Sequence, residues 1–277
     1  MVETGYSVAN KERGRGERMP GTETKHKVRD VNVRMLRGGS GPPLLFLHGA
    51  NGLPVWLPVF DLLAKHFEVF VPEHPGFGTS DNPPWMRNIG DLAMYYLDFI
   101  DEMSPHPIHL VGQSLGGWAA AEVAVRNCMR LKSLSLLAPA GIRIKGMPAA
   151  DNFIWDAEES VRNLYHDQKI PDQMLSMQPT DEQADIMLTN RFAATKFGWE
   201  PRWYNPSLER WLHRITVPTL IMWGKEDKLF PSAYAVRWGE RIPGSRVEIV
   251  PDCGHVPAVE KPEITAKEII RLYAGTR

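Results

Sequence analysis

One serine of this chain stands between glycines in a pattern that suits a nucleophile. The motif Gly112-Gln113-Ser114-Leu115-Gly116 follows the short apolar run 108–111 and precedes a helix-compatible stretch, 117–126. In a G-x-S-x-G turn between strand and helix, the turn has no room for side chains beside the serine, and the strain projects its Oγ above the sheet. The pattern therefore predicts that Ser114 is the attacking group of an acyl-transfer enzyme.

A serine hydroxyl is a weak nucleophile at neutral pH and needs a neighbouring base. Imidazole suits this role because it titrates close to pH 7 and can return the proton to a leaving group. Among the histidines, His255 has the most suitable setting, in a loop after a predicted strand over 247–250 and directly after Gly254, which permits a close turn. His48 is assigned a structural role. We therefore expect His255 to be the base.

A carboxylate must hold that imidazole in the correct tautomer and stabilise its positive form. Asp227 follows a predicted strand over 217–223 after a short turn, and the interval from there to His255 leaves room for one helix and one strand. Glu226 beside it is a rival for the role, and Asp227 could instead cap a helix or a turn. We expect Asp227 to be the orienting acid.

These motifs occur in an order that resembles the α/β-hydrolase superfamily, in its serine-nucleophile branch with a cap domain, which includes carboxylesterases and meta-cleavage product hydrolases. The resemblance runs from about Lys25 to the C-terminus and is carried by the serine motif together with His48-Gly49, Pro75-Gly76-Phe77-Gly78-Thr79-Ser80, Trp223-Gly224-Lys225-Glu226-Asp227 and Cys253-Gly254-His255. It implies an α/β fold, the α/β-hydrolase fold, with a mostly parallel, doubly wound, eight-stranded sheet and an inserted helical cap. It also implies that Ser114, Asp227 and His255 act as nucleophile, acid and base.

Two backbone N–H groups should bind the oxyanion of the tetrahedral intermediate, one directly after the serine and one after the His-Gly pair. These groups belong to Leu115 and Ala50. Asn51 could add a side-chain donor or only shape the Asn51-Gly52 turn. Glu73 stands where the related loop usually begins with Asp, and its expected role is structural.

The predicted elements place these motifs at the ends of buried strands. Residues 28–36 alternate apolar and polar side chains and 37–42 supply a turn, which favours an antiparallel edge hairpin. Apolar runs then alternate with helical patterns, which indicates a parallel sheet with right-handed crossovers. The predicted parallel strands are 44–47, 69–71, 108–111, 134–138, 217–223 and 247–250.

Residues 140–214 interrupt this alternation and are rich in Trp, Phe, Tyr and Met. We interpret them as a helical cap between two parts of the core, 25–139 and 215–277, with residues 1–24 forming a flexible N-terminal extension. Such a cap would cover the serine with a deformable apolar surface, or use the same residues for its own core. The candidate substrate-binding residues are Asn51, Gln113, Trp155, Arg191, Phe192, Trp203 and Val256.

The composition excludes several classes of partner. The 277 residues carry 32 Lys and Arg against 33 Asp and Glu, so no electrostatic field favours nucleic acid or an anionic membrane. Two cysteines without metal or redox spacing, and no phosphate-binding loop, imply no metal and no cofactor. With no signal-type or long apolar segment, we expect a cytoplasmic protein without stable membrane insertion that acts on a small apolar ester or other carbonyl substrate. The sequence does not indicate the oligomeric state.

Cleavage of carboxylic esters through an acyl-enzyme is the predicted function. Hydrolysis of a carbon–carbon bond is a rival prediction, because residues 137–142 and Asn190-Arg191 resemble the meta-cleavage product hydrolases, with Arg191 as a candidate for a substrate carboxylate. That family usually has Asn before the nucleophile and Trp after the histidine, where this chain has Gln113 and Val256. The sequence is also compatible with amidase or lactonase activity, and with a non-catalytic binding protein that retains the fold.

Overall fold

The computed structural model of the chain describes residues 21–53 and 55–275, in which eight strands form one sheet. The strands are β1 (Thr22–Val28), β2 (Val31–Gly38), β3 (Pro43–Leu47), β4 (Glu68–Pro72), β5 (Ile108–Gln113), β6 (Leu131–Leu137), β7 (Thr219–Gly224) and β8 (Arg246–Val250). Their order across the sheet is β1-β2-β4-β3-β5-β6-β7-β8. The pairs β1–β2 and β2–β4 are antiparallel and the other pairs are parallel, which confirms the predicted sheet.

Helices cover both faces of the sheet. In the described part of the chain they are α1 (Pro58–Leu63), α2 (Ile89–Met103), α3 (Leu115–Arg126), α4 (Ala157–Leu164), α5 (Lys169–Ser176), α6 (Asp181–Gly198), α7 (Leu208–Trp211), α8 (Ala233–Arg241), α9 (Pro257–Glu260) and α10 (Pro262–Ala274). On β3, Leu45 and Leu47 belong to one hydrophobic cluster, whereas Leu44 and Phe46 belong to another. Because successive strand residues point to opposite faces, the sheet has a core on each side. Helices α2, α3 and α8 pack into the first cluster, and α1 and α10 into the second.

The antiparallel edge differs in position from the sequence prediction. That prediction made residues 28–36 one strand and 37–42 the hairpin turn, whereas the turn lies at Arg29-Asp30, between β1 and β2. β1 gives no periodic signal because Val28 is its one buried residue and its other positions are polar and exposed or half-buried. The expected hairpin is therefore present, but its turn was predicted in the wrong place.

The first strand begins inside the segment that the sequence assigns to the N-terminal extension. β1 starts at Thr22, three residues before the predicted start of the core at residue 25. The prediction of flexibility for residues 1–20 lies outside the described residues.

Residues 140–214, called the insertion below, connect β6 to β7 and contain helices α4 to α7. Local sequence fixes where two of these helices begin. Asp156 and Glu159 form a capping box at the start of α4, and Thr180 and Gln183 form another at the start of α6. In each box the two side chains accept otherwise unpaired backbone N–H groups of the first turn.

Two buried histidines connect the ends of β3 and β4 with α2. The His74 N–H donates to Nε2 of His48 (2.9 Å), and His74 Nε2 lies 2.8 Å from the His48 carbonyl oxygen. Nδ1 of His74 is hydrogen-bonded to the Tyr96 hydroxyl. Burial lowers the pKa of His48 to about 4 and holds the pKa of His74 well below its ordinary value. Both rings are therefore neutral at pH 7, as a supporting role requires.

These histidines should make the free energy of unfolding fall in mild acid. The unfolded chain takes up protons on them near pH 6.5, whereas the folded chain excludes the proton from His48 until about pH 4. Between these values the unfolded state binds more protons, so the stability is complete above pH 6.5 and is lost as the pH falls, by about 1.4 kcal/mol per pH unit for each such histidine.

Urea unfolding between about pH 7.5 and pH 5 measures this slope, to which the buried His109 contributes in the same sense because burial lowers its pKa to about 4 as well. The control is His213→Gln, which removes an exposed histidine and leaves the buried ones in place. A free energy of unfolding that stays constant over this interval would contradict the prediction.

Candidate active site

Ser114 lies at the turn from β5 into α3, with a backbone conformation that side chains rarely adopt. Its φ of 53° and ψ of −114° cost free energy that the surrounding structure must offset. The Ser114 N–H donates to the carbonyl oxygen of Leu137 on β6 (2.9 Å), which ties the turn to the neighbouring strand. A Cβ at Gly112 would overlap the Gly116 carbonyl, and a Cβ at Gly116 would overlap the carbonyl of Leu47. Close backbone approach is therefore the reason for both glycines.

A continuous hydrogen-bond path joins three side chains from separate loops. Nε2 of His255 lies 2.8 Å from Oγ of Ser114, and Nδ1 of His255 lies 2.7 Å from Oδ2 of Asp227. The side chains of His255 and Asp227 are 3% and 0% exposed, whereas Ser114 is half-buried. The structure thus brings together the serine, histidine and aspartate that the sequence singles out, and of the three only the serine is more than marginally exposed.

The two neighbouring carboxylates after β7 have different partners. Asp227 uses Oδ2 for His255, and its Oδ1 accepts the N–H groups of Leu229 (2.8 Å) and Phe230 (3.0 Å). Glu226 instead accepts the Cys253 N–H (3.0 Å). Asp227 is therefore the carboxylate that contacts the imidazole, and Glu226 braces the loop before the histidine.

The loop after β3 runs directly beside the serine. A Cβ on Gly49 would lie 3.4 Å from Cβ of Ser114, so Ala50 follows at the edge of the site. Leu115 opens α3, where the first N–H groups of a helix have no acceptor inside the helix and carry partial positive charge. Within residues 21–53 and 55–275, neither the Ala50 nor the Leu115 N–H has a hydrogen-bond acceptor. Two backbone N–H groups near the serine are thus unpaired in the described part of the chain.

A buried amide on α6 ties two core loops to the insertion. Nδ2 of Asn190 donates to the Asn51 carbonyl oxygen (3.0 Å), and Oδ1 of Asn190 accepts the Gly78 N–H (2.8 Å). A Cβ on Gly52 would overlap the Asn190 side chain. Sequence reasoning did not identify this support for the loop after β3. The signal in the sequence was a polar residue on the buried stripe that Asn190 shares with Ala193 and Ala194.

Glu73 has the structural role that the sequence suggests. Its carboxylate accepts the Thr79 N–H (2.8 Å) and lies 3.6 Å from Nη1 of Arg34. Burial raises the pKa of Glu73, while the Thr79 N–H and Arg34 oppose that rise. The side chain holds the loop between β4 and α2 and has no hydrogen bond to the three site residues.

Three predicted substrate-binding residues belong to the core, and they have different surroundings. Gln113 is 4% exposed, and its Nε2 donates to the carbonyl oxygen of His255 (2.8 Å). This amide therefore braces the histidine. Asn51 uses its main-chain carbonyl for Asn190, and its side chain is exposed. Val256 is half-buried next to His255 and remains a candidate for substrate contact.

The four candidates from the insertion also differ in how far they are buried. Trp203 is 5% exposed, stacks on Phe153 with ring centroids 5.1 Å apart, and donates Nε1–H to Asn152. It packs inside the insertion and its indole N–H already has a partner, so its position gives the prediction of substrate contact no support. Trp155 is half-buried against the core and stays a candidate.

Arg191 and Phe192 lie on the solvent side of α6. The buried residues of this helix are Asn190, Ala193, Ala194, Phe197 and Gly198. With about 100° between successive residues, Phe192 points nearly opposite to Asn190, and it is 69% exposed. The prediction that these two residues face the substrate is therefore not supported by their position.

The described residues contain no group of three or more His, Cys, Asp or Glu side chains arranged to hold a metal ion. Cys253 is buried next to the histidine loop, and burial raises the pKa of its thiol. In the same part of the chain, none of the helices combines the length and the apolar character needed to cross a bilayer.

Comparison with known proteins gives the family. Residues 44–268 match the Alpha/beta hydrolase family, and the chain belongs to it. The chain is 28% identical over 249 residues to the 2-hydroxy-6-oxo-6-(2'-aminophenyl)hexa-2,4-dienoic acid hydrolase of Metapseudomonas resinovorans, with 84% of each chain covered. It is 27% identical over 260 residues to the monoacylglycerol lipase ABHD6 of Mus musculus, with 86% of this chain and 77% of the relative covered.

A solved structure extends the likeness to three dimensions. The crystal structure of a membrane phospholipase A, a bacterial virulence factor, has a TM-score of 0.78 and 25% identity, with 93% of this chain and 87% of that chain covered. The predicted resemblance to the α/β-hydrolase superfamily is confirmed, and with it the general prediction of a hydrolase.

One added methyl group should test the close packing around the serine. Gly116→Ala places Cβ against the carbonyl oxygens of Leu47 and His48, so we expect the free energy of unfolding to fall by about 3 kcal/mol or more. Gly275→Ala is the matched control, because a Cβ there meets its nearest atoms at 3.5 and 4.0 Å. Urea unfolding of both variants measures the difference. Equal stability of the two would show that the turn has more room than the structure gives it.

Proposed function

We propose that the chain is a serine hydrolase that cleaves carboxylic esters through an acyl-enzyme intermediate. The observation that carries the proposal is the hydrogen-bond path from Asp227 through His255 to Ser114, with distances of 2.7 and 2.8 Å. In this path a buried carboxylate orients the imidazole, the imidazole can accept a proton, and the nucleophile is the part that substrate can reach.

The proposed reaction begins with attack of Ser114 Oγ on the ester carbonyl carbon. Nε2 of His255 takes the hydroxyl proton, and Asp227 stabilises the resulting imidazolium. The carbonyl oxygen becomes an oxyanion that accepts hydrogen bonds from the N–H groups of Ala50 and Leu115. The imidazolium then protonates the departing alkoxide, which leaves the acyl group on Ser114. Water then attacks the acyl-enzyme ester, with His255 again as the base. The imidazolium returns the proton to Oγ of Ser114 as the carboxylic acid leaves.

The insertion is proposed to be a cap over the serine. It brings half-buried apolar side chains against the core, namely Phe153, Trp155, Val161, Ile170 and Met174. Apolar side chains of this kind, together with the flexible Met174, favour a small apolar ester or another neutral carbonyl compound. Residues 140–214 would then form the cap, and 25–139 with 215–277 the core.

Hydrolysis of a carbon–carbon bond is the second candidate, because the chain is similar to the hexa-2,4-dienoic acid hydrolase named above. The carboxylate of a dienoic acid substrate would need a positively charged side chain in the site to bind it. Arg191 was the candidate cation, but it lies exposed on α6. The amide of Gln113 is already bonded to His255. Both observations favour a neutral ester over an anionic substrate.

The direct test of the proposed function is hydrolysis of p-nitrophenyl acetate, butyrate and octanoate. We expect many turnovers by the wild type and none by Ser114→Ala, because the acyl group then has no acceptor. Ser176→Ala is the control, since Ser176 is exposed in the insertion and should leave turnover unchanged. Turnover of a 2-hydroxy-6-oxohexa-2,4-dienoic acid but of none of these esters would move the function to the second candidate.

The neighbouring carboxylates allow a matched test of the acid. Asp227→Asn should lower kcat by about 10⁴-fold, because an amide favours the wrong tautomer of the imidazole. Glu226→Gln should lower kcat less than about tenfold, because Glu226 bonds to the Cys253 N–H and not to the ring. Ester kinetics with both variants, together with their thermal unfolding, measure the contrast. Equal losses would mean that the assignment of Asp227 is wrong.

A further inference from the structure

The main chain of His255 is held on both sides by residues remote in sequence. Its N–H donates to the Leu164 carbonyl oxygen at the end of α4 (2.8 Å). Its carbonyl oxygen accepts the amide of Gln113 (2.8 Å), the residue before the serine. One side of this attachment therefore comes from the core, and the other comes from the insertion.

A single carboxylate reinforces the attachment to the insertion. Oε2 of Glu260 accepts the Gly254 N–H (2.6 Å), and Oε1 accepts the N–H groups of His166 (2.7 Å) and Asp167 (2.9 Å). Gly254 directly precedes His255, whereas His166 and Asp167 lie at the junction of α4 and α5. Hydrogen bonds to an ionised acceptor are stronger than those between neutral groups. Glu260 thus bonds to both segments at once.

The two segments meet with no side chain between them. A Cβ on Gly254 would lie 2.6 Å from the Leu164 carbonyl oxygen, 2.8 Å from the His166 nitrogen and 2.9 Å from Oε2 of Glu260. These separations leave no room for any residue but glycine. Movement of the α4–α5 junction toward the histidine loop would therefore displace that loop, and movement away from it would break the hydrogen bonds to His255 and Glu260.

We propose that Glu260 is a positioning residue that couples the insertion to His255. The imidazole is aligned on Ser114 only while the α4–α5 junction is seated against the histidine loop. The inference rests on the proposed role of His255 as the base. It gives the insertion a part in proton transfer, because a misplacement of about 1 Å at reacting groups can cost about 10²-fold in rate.

Two substitutions separate the charge of Glu260 from its size. Glu260→Gln keeps the size, but an amide offers one acceptor oxygen and one donor group. Either Gly254 or the pair His166 and Asp167 then faces a donor, so one side of the coupling is lost. Glu260→Asp keeps both acceptors and shortens the reach by one methylene. Glu102→Gln is the matched control, because Glu102 is an exposed carboxylate on α2.

The experiment compares these variants with the wild type by three measurements. The first is kcat and KM for p-nitrophenyl butyrate. The second is the rate at which a fluorophosphonate modifies Ser114, which needs an activated serine but no turnover. The third is the downfield proton resonance of the hydrogen bond between His255 and Asp227, which reports the position of the ring. Thermal unfolding by circular dichroism checks that each protein is folded.

We expect Glu260→Gln to lower kcat by about ten- to a hundredfold with KM within about twofold. Modification of Ser114 should slow by a similar factor, and the downfield resonance should shift or broaden. Glu260→Asp should fall between wild type and Glu260→Gln, and Glu102→Gln should match the wild type. A folded Glu260→Gln with wild-type kcat, modification rate and resonance overturns the proposal. If Glu260→Gln does not fold, wild-type values for Glu260→Asp overturn it.

The proposed ester activity can fail separately. A wild type that hydrolyses none of the esters but is modified at Ser114 would refute that activity, and the effect of Glu260→Gln on modification would still decide the coupling. A wild type that is neither active nor modified would mean that His255 does not activate the serine, and the inference would fall with it.

Discussion

The left-handed backbone of Ser114 is the constraint on which the rest of the site depends. This conformation exists because Gly112 and Gly116 let three main-chain segments approach within contact, and because the Ser114 N–H is bonded to Leu137 on the next strand. It places Oγ above the carboxyl edge of the sheet and at the start of α3. In a parallel sheet the loops that follow the strands gather at this edge. The loops carrying Ala50, Asp227 and His255 therefore meet the serine there.

The order of the strands decides which side of the serine each loop reaches. β5 lies between β3 and β6, so the loop with Gly49 and Ala50 stands on one side, and the loops after β7 and β8 approach from the other. Each side then needs its own support, because a buried polar loop with unpaired groups is costly. The histidine pair and Asn190 hold the first side. Gln113, Glu226 and Glu260 hold the second.

Much of this arrangement follows from sequence because it depends on local signals. The turn around Ser114 requires two glycines for steric reasons, and these are visible in the sequence. The parallel strands are visible as apolar runs bounded by turns. These features predicted the sheet, the order of elements and the three residues on the hydrogen-bond path. Asp227 was the expected acid and Glu226 its rival, and the structure shows which of the two carboxylates the turn directs at the ring.

The errors share a different cause, which is that tertiary contacts assign the face of each side chain. β1 is polar on nearly every position, so periodicity could not reveal it. Trp203 and Phe192 are both large aromatic residues of the insertion, yet Trp203 is packed inside it and Phe192 lies on the exposed side of α6. Asn190 and Glu260 act through main-chain groups more than 90 residues away. Spacing along the sequence can indicate that such a position is buried, but it does not show which distant main-chain group the side chain meets.

The two attachments of the insertion also constrain how it can move. Asn190 bonds to the loop beside Ala50, and Glu260 joins the α4–α5 junction to the histidine loop. A rigid-body opening of the whole insertion would break both sets of hydrogen bonds and disorder the two sides of the serine together. By contrast, no residue of α6 before Asn190 is buried. Local opening is least costly where few buried contacts are lost, so the first half of α6 is the part of this helix that can move at least cost with both attachments kept.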